Sequence, residues 1–321
     1  MSEWENMLND GADVNNLLEI SDEQTRLNEL RICELSILAD FALDHISALM
    51  KESGLDVYEA SALLSEELLD FKTFSTDAER SLPENIERLE FLGGITETHD
   101  KAMFAELICE RAANKNIDIT ESALLYTKPG EPTFTYLKNA YSDEAYDVLC
   151  EDLPNSKIVK YSSGLKEAAK AVADGEANFC LLPLEETGIR IAAVSNLIAH
   201  YDLKINRVTS VFGFDGTADM KYAMLSLGYS VPTNDVLDDR YLEIRHPLDA
   251  DVGLIDVILA AESFGHRIYR LNTCTLNETS DRKIYYSLVF RDDEGDFSAM
   301  LMYLSLFSTD TSVVGIYKNL E

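Results

Sequence analysis

The order of elements that hydropathy patterning predicts over residues 237–321 restricts the fold of this chain more than any other feature. Tyr241 to His246 alternates apolar and polar side chains as a half-buried strand does. Leu254, Ile255, Ile258 and Leu259 follow at helical spacing, and the helix they mark ends near Gly265. Arg267 to Thr275 reads as a second strand and Asn277 to Asp281 as a polar turn. Lys283 to Arg291 is a third strand, with Ile284, Tyr286, Leu288 and Phe290 on one face. After Asp292–Gly295 a helix covers Phe297 to Leu306, and Thr311 to Tyr317 supplies a last strand. The sum is βαββαβ, which closes as one antiparallel sheet with both helices on a single face.

Two other rhythms precede it. Residues 21–115 read as helices throughout. Ser21 and Gln24 form a capping box, and Leu27, Leu30, Leu35, Leu38, Phe41, Ala42, Ile46 and Leu49 keep helical spacing up to Gly54. A second helix carries Val57, Ala60, Leu64, Leu68 and Phe71 on one face. A third runs from near Pro83 to Gly93-Gly94, and a fourth carries Met103, Phe104, Leu107 and Ile108. Apolar stripes of this kind are core more often than binding faces, so the helices form a bundle or cover another unit. From Ala123 the pattern becomes βα. Ala123–Tyr126 is a short apolar run, Phe134 to Cys150 reads as a helix and Ile158–Tyr161 as a strand. Ser162-Ser163 caps a helix that ends at Asp174-Gly175, and Phe179–Leu184 is a continuous apolar run typical of a strand covered on both faces. This alternation predicts a mostly parallel sheet. The expected organisation is a multidomain α/β and α+β chain: a helical segment over 1–118, a central mostly parallel α/β lobe over 119–236 and the βαββαβ unit over 237–321.

With 46% hydrophobic and 26% charged residues the chain has a globular composition. It contains no apolar run of membrane-spanning length, and its acidic first residues lack the pattern of a secretory signal, so a cytoplasmic location is expected. The formal net charge of −31 repels phosphate backbones and anionic lipid, which argues against nucleic-acid or membrane partners. Cys33, Cys109, Cys150, Cys180 and Cys274 are widely spaced with no CxxC pair, so neither zinc nor a disulfide framework is expected. The five histidines are isolated in sequence; His266, near a helix end, reads as structural. Asp292-Asp293-Glu294 lacks the spacing of a calcium loop. No GxGxxG, phosphate loop or GxSxG elbow is present, and no cofactor or metal is expected.

The βαββαβ order with a glycine after its first strand resembles the ACT domain, a ferredoxin-like regulatory unit of amino-acid biosynthesis. Asp251-Val252-Gly253-Leu254 stands where such domains bring backbone amides to a ligand carboxylate at a helix N-terminus. Upstream, Val172 to Gly188 and Asn196 to Ile205 resemble the stretch of prephenate dehydratases around a Pro-(Ile)-Glu-Asn-Ser signature. The order of the two units, over about residues 120–321, is that family's order. The resemblance implies an amino-acid-like ligand and a homodimer formed through the ACT domain. Asp251, Val252, Gly253, Leu254, Asn272 and Thr273 are then its candidate ligand-binding residues.

The departures bear on activity. Glu185-Glu186-Thr187 replaces Glu-Asn-Ser, and an extra carboxylate repels the prephenate dianion. Met220-Lys221-Tyr222 stands where the family keeps Thr-Arg-Phe, so a hydroxyl and a bidentate guanidinium are both lost. Only Ile205 to Asp219 separates these segments where the family has a second lobe, and half a cleft positions leaving groups poorly. Asn272-Thr273-Cys274-Thr275 replaces the Glu-Ser-Arg-Pro run of phenylalanine-responsive relatives. The N-terminal helices stand where some relatives carry a chorismate mutase, but Arg26, Arg31 and Lys51 are too few cations for its dianion pocket. The leading expectation is a non-catalytic regulatory protein that binds an amino acid or similar small molecule. The alternatives are an active dehydratase working through Glu185, Thr187 and Lys221, and a purely structural interaction protein.

Overall fold

The computed structural model describes residues 11–74, 95–119, 132–151, 153, 158–212, 219–229, 240–278, 281–292 and 296–320. The predicted third helix (Pro83 to Gly94), the run Ala123–Tyr126 and the acidic turn at 293–295 lie outside them.

Three helices come first: α1 (Gly11–Ser53), α2 (Val57–Phe74) and α3 (Thr98–Asn114). Gly54 ends α1 because its φ of 70° suits a residue without a Cβ, and its amide closes the last turn onto the Met50 carbonyl at 2.9 Å. Asp56 then starts α2, its Oδ1 accepting from the amides of Tyr58 and Glu59 at 2.8 Å each. The apolar stripes meet the helical layer of the C-terminal unit. Leu35, Leu43 and Ile46 of α1, Leu64 of α2 and Phe104 and Ile108 of α3 share one core with Val257, Met300 and Tyr303. The helical segment is thus a second helical layer over 240–320, and its stripes are core.

The α/β part comprises β1 (Thr133–Leu137), α4 (Ala140–Leu149), β2 (Ile158–Ser162), α5 (Leu165–Ala173), β3 (Phe179–Glu186), β4 (Ile189–Arg190), α6 (Ala192–His200), β5 (Lys204–Phe212) and β6 (Asp219–Ser226). The helix expected over Phe134 to Cys150 is a strand followed by a helix. Asn139 is extended (φ −157°) and forms a capping box with Ser142, which fixes the helix start at Ala140 and leaves Phe134 and Tyr136 to alternate inward from a strand. Ser162-Ser163 does not supply the cap of α5: Gly164 is the N-cap, while the Ser163 amide donates to Glu167 Oε2 at 2.6 Å.

The C-terminal part comprises β7 (Arg240–Pro247), α7 (Leu254–Ser263), β8 (Arg267–Glu278), β9 (Asp281–Asp292), α8 (Ser298–Phe307) and β10 (Ser312–Leu320). Its strands lie in the order β10-β7-β9-β8, all antiparallel, and the residues that β7 and β9 turn toward α7 and α8 share the helical core. This is the ferredoxin-like arrangement that the element order predicts. The chain is therefore a multidomain α/β protein carrying a C-terminal ferredoxin-like lobe.

Both parts belong to one continuous sheet, β2-β1-β3-β6-β5-β10-β7-β9-β8, with β4 paired to β3. The parallel pairing expected for the central lobe is confined to β2-β1-β3, while β6 runs antiparallel to both β3 and β5. Residues 213–218 alone link β5 to β6, and a parallel crossover needs a dozen or more. The join between the lobes is β10 lying parallel to β5. Beneath it Leu182, Leu184 and Val208 pack with Tyr241, Val289 and Tyr317 in one core. No helix among the described residues is long and apolar enough to cross a membrane.

Candidate functional site: a buried ion network at the join of the lobes

The residues that resemble the dehydratase signature end on β3. A bulge between Pro183 and Glu185 turns both Leu184 and Glu185 inward, leaving them 1% and 3% exposed. The chain then reverses through Thr187 (φ 48°) and Gly188 (φ 76°), the pair of positive φ values that a two-residue hairpin loop requires. The Thr187 amide donates to the Asp219 carbonyl at 2.7 Å, which anchors the turn on β6. Hairpin register sets Arg190 opposite Glu185.

Around this hairpin the open face of the ferredoxin-like sheet supplies Glu243, Arg270, Ser287 and Tyr317. Glu185 Oε1 accepts from Arg270 and, at 3.5 Å, from Arg190; Arg190 also donates to Glu243 Oε1. Tyr317 donates to Glu243 Oε2 at 3.2 Å and Ser287 to Oε1 at 3.5 Å. Burial works to lower the pKa of Arg190, and the charges of Glu243 and Glu185 more than reverse it, so it lies above the usual arginine value. Arg270 behaves in the same way through Glu185. The Tyr317 phenol is pushed well up, by burial first and by Glu243 second. Arg190 and Arg270 therefore keep their charge and Tyr317 its proton near neutral pH.

Two cavities flank this network. The smaller, about 20 Å³, is bordered by Glu185, Lys221, Arg270, the rings of Tyr241 and Tyr269, and Asn319. Lys221 on β6 is the register partner of Glu185. Glu185 Oε2 and Asn319 Oδ1 are buried there without a hydrogen-bond partner among the described residues. The larger, about 60 Å³, lies between α6 and the ferredoxin-like sheet, bordered by Arg190, Arg245, Ser195, Asn272, Cys274 and Ser287 among others.

The candidate residues read from sequence fall in three places. Glu185 and Lys221 border the small cavity together, while Thr187 is exposed in the hairpin turn. Asn272 and Thr273 border the large cavity. Asp251 and Gly253 are exposed, and Val252 and Leu254 half-buried, at the start of α7, where Gly253 is the N-cap with an ordinary φ of −68°. A carboxylate of the chain itself already stands in that first turn: Asp256 Oδ2 lies 3.0 Å from where a Gly253 Cβ would be, and Asp256 Oδ1 accepts from Thr98 at 2.6 Å. Register sets Asn272 level with Ser287 on the sheet face away from α7. One chain therefore does not bring Asn272 and the 251–254 turn to a common pocket.

Sequence reasoning passed over Arg190, Glu243, Arg245 and Arg270. Alternation along β7 gives the signal for two of them, because Glu243 and Arg245 fall on the face opposite Leu242 and Ile244. Among the described residues no group of histidine, cysteine, aspartate and glutamate side chains could hold a metal ion, and all five cysteines are free thiols. His266 is 2% exposed, its ring 4.7 Å from that of Phe297.

No family model matches the sequence, and no curated protein does. Among solved structures, the chain is similar to a prephenate dehydratase from Streptococcus mutans, at 11% identity over 59% of this chain and 100% of that one with a TM-score of 0.48. It is similar to GqqA, described as a novel type of quorum-quenching acylase, at 19% identity over 59% of this chain and 96% of that one with a TM-score of 0.43. A third is the prephenate dehydratase of Arthrobacter aurescens in complex with L-Phe, at 13% identity over 58% of this chain and 90% of that one with a TM-score of 0.44.

Proposed function

We propose that this chain is a non-catalytic regulatory protein of prephenate dehydratase-like ancestry, whose ferredoxin-like lobe binds an amino acid or similar small molecule and passes that state across the join. The observation that carries this reading is the use made of Glu185. In an acid-base site it would face substrate; here its Oε1 is taken by Arg270 and Arg190, and through Arg190 it is linked to Glu243. The cavity beside Glu185 and Lys221 measures about 20 Å³, room for little more than a water molecule. Met220, in place of a catalytic hydroxyl, points the same way. An ionic clamp between two lobes is a two-state element that a ligand biases when it binds one arrangement better than the other.

A homodimer through the ferredoxin-like lobe belongs to this proposal. It is supported by β8, whose outer edge pairs with no strand among the described residues, and by exposed apolar side chains beside that edge: Ile255 at 70%, Leu259 at 50% and Leu271 at 45%. The test of the function is a thermal-shift screen of the full chain against the twenty amino acids, prephenate and phenylpyruvate. A ligand at a hundred times its Kd adds about 2.7 kcal/mol. Stabilisation by one small molecule without turnover is expected, and no stabilisation by any of them would overturn the reading.

The register pairing of Glu185 with Lys221 favours a second reading, an active dehydratase in which the clamp opens to admit substrate. Formation of phenylpyruvate from prephenate, abolished by Lys221→Ala, would establish it.

A further inference from the structure

We infer that the larger cavity, between α6 and the open face of the ferredoxin-like sheet, is a binding site for a small monocarboxylate anchored by Arg245. The inference rests on the ligand-binding reading above and gives that ligand a chemical class and a place. Strand register builds one wall. Arg245 on β7, Ser287 on β9 and Asn272 on β8 are level with one another, so three polar side chains form a row about 10 Å long across two strand spacings. The opposite wall is α6, through Ser195 and Ile198.

Charge selects the ligand. Arg245 is half-buried and has no hydrogen-bond or ion-pair partner among the described residues, whereas Arg190 across the cavity is committed to Glu243 and Glu185. Glu243 cannot serve both arginines well, since its oxygens already receive Arg190, Ser287 and Tyr317. The neighbouring thiol of Cys274 has its pKa raised, chiefly by burial, so it brings no compensating anion. Two guanidinium groups against one carboxylate leave one positive charge in surplus in a chain of net charge −31. A guanidinium with both edges free grips a carboxylate bidentately.

Size narrows the class. At about 10–15 Å³ for each water-sized group, a cavity of about 60 Å³ holds four to six heavy atoms. That is the span from acetate through glycine to pyruvate; phenylalanine and prephenate need roughly two to four times as much. Leu276 and Val314 give an apolar wall for a methyl or methylene group beside the carboxylate.

The experiment is isothermal titration of the full chain with acetate, glycine, pyruvate, inorganic phosphate and L-phenylalanine, repeated on Arg245→Gln and Arg245→Lys. Saturable binding of at least one short carboxylate is expected, weakened tenfold or more by Arg245→Gln and less by Arg245→Lys. Ser195→Leu, which fills the cavity from α6 and leaves Arg245 in place, should also abolish binding, and it keeps the test decisive if the arginine variants do not fold. Binding unchanged in Arg245→Gln or in Ser195→Leu would overturn the site, as would phosphate binding more tightly than every carboxylate. If a larger amino acid binds independently of Arg245, the site falls and the regulatory reading stands; if none of the five compounds binds, the site falls, and the regulatory reading is decided by the screen of the twenty amino acids.

Discussion

Glu185 and Arg270 lie 85 residues apart in sequence and form an ion pair that ties strand β3 of the α/β part to the edge strand β8 of the ferredoxin-like lobe. The carboxylate is 4% exposed and the guanidinium 24%. Removing one partner of a buried pair costs about 3–5 kcal/mol, and the partial exposure of the arginine reduces this to roughly 2–3. Glu185→Gln is therefore expected to lower stability by about 2–3 kcal/mol in urea unfolding. Arg270→Gln should cost less, because Arg190 remains 3.5 Å from Glu185. A double-mutant cycle should show coupling of about 1–2 kcal/mol. Additive effects would mean that the pair does not hold the lobes together.

Tyr303 of α8 is fully buried, and its hydroxyl has no hydrogen-bond partner among the described residues. Burial pushes the phenol pKa up, so the group stays neutral. A buried polar group left unsatisfied costs about 1–3 kcal/mol. Tyr303→Phe keeps the ring against Phe264 and Phe307 and removes only that cost, so it should raise stability by about 1 kcal/mol. Tyr303→Ala should lower it by about 3–5 kcal/mol through the cavity it leaves. A loss of stability in Tyr303→Phe would mean that the hydroxyl has a partner, such as ordered water.

Much of the fold could be read from sequence because its period is local. Ile284, Tyr286, Leu288 and Phe290 alternate with Lys283, Tyr285, Ser287 and Arg291, and that alternation suffices to predict β9 with one apolar face; that Val289 on the other face enters a second core is seen only in the structure. The site was less legible because its partners are distant in sequence. Arg190 meets Glu243 across 53 residues and Arg270 meets Glu185 across 85, and no spacing rule connects them. Glu185 was singled out from the neighbourhood it resembles, but its role at the join depends on strands that follow much later. Phe134 to Leu137 misled for a different reason: a five-residue strand beside a helix presents too few alternations to resolve period two from period 3.6.

His246, 1% exposed, holds Thr311 at 2.8 Å through Nδ1 and ties the end of β7 to the start of β10. Burial lowers its pKa below 6.5, although the Val252 backbone and the charge of Asp310 work the other way. The unfolded chain therefore takes up the proton first. The stability that neutral His246 contributes is complete above about pH 6.5 and is lost as pH falls below that value toward the lower folded pKa. Thermal midpoints measured between pH 7.5 and 5 should fall more steeply in the native chain than in His246→Asn, whose amide can still reach Thr311 but does not titrate. Parallel profiles would place the acid sensitivity elsewhere.

Gly315 is where the two lobes become one sheet. It is level with Ile205 in the parallel pairing of β10 with β5, and a Cβ at Gly315 would lie 2.6 Å from the Ile205 Cβ and 2.8 Å from the Ile205 carbonyl oxygen. Neither atom is the end of a flexible side chain, so even one methyl group must move backbone. Overpacking of this kind costs about 1–3 kcal/mol. Gly315→Ala is expected near the upper end of that range, and Gly315→Val should cost more. The damage should also be local, because α1 to α3 rest on α7 and α8 on the other side of the lobe. Hydrogen exchange should accelerate at the amides of β5 and β10 while those of the helical core keep their protection. Uniform acceleration would show instead that the join and the helical core open as one unit, and a ligand bound at the join could then be felt throughout the chain.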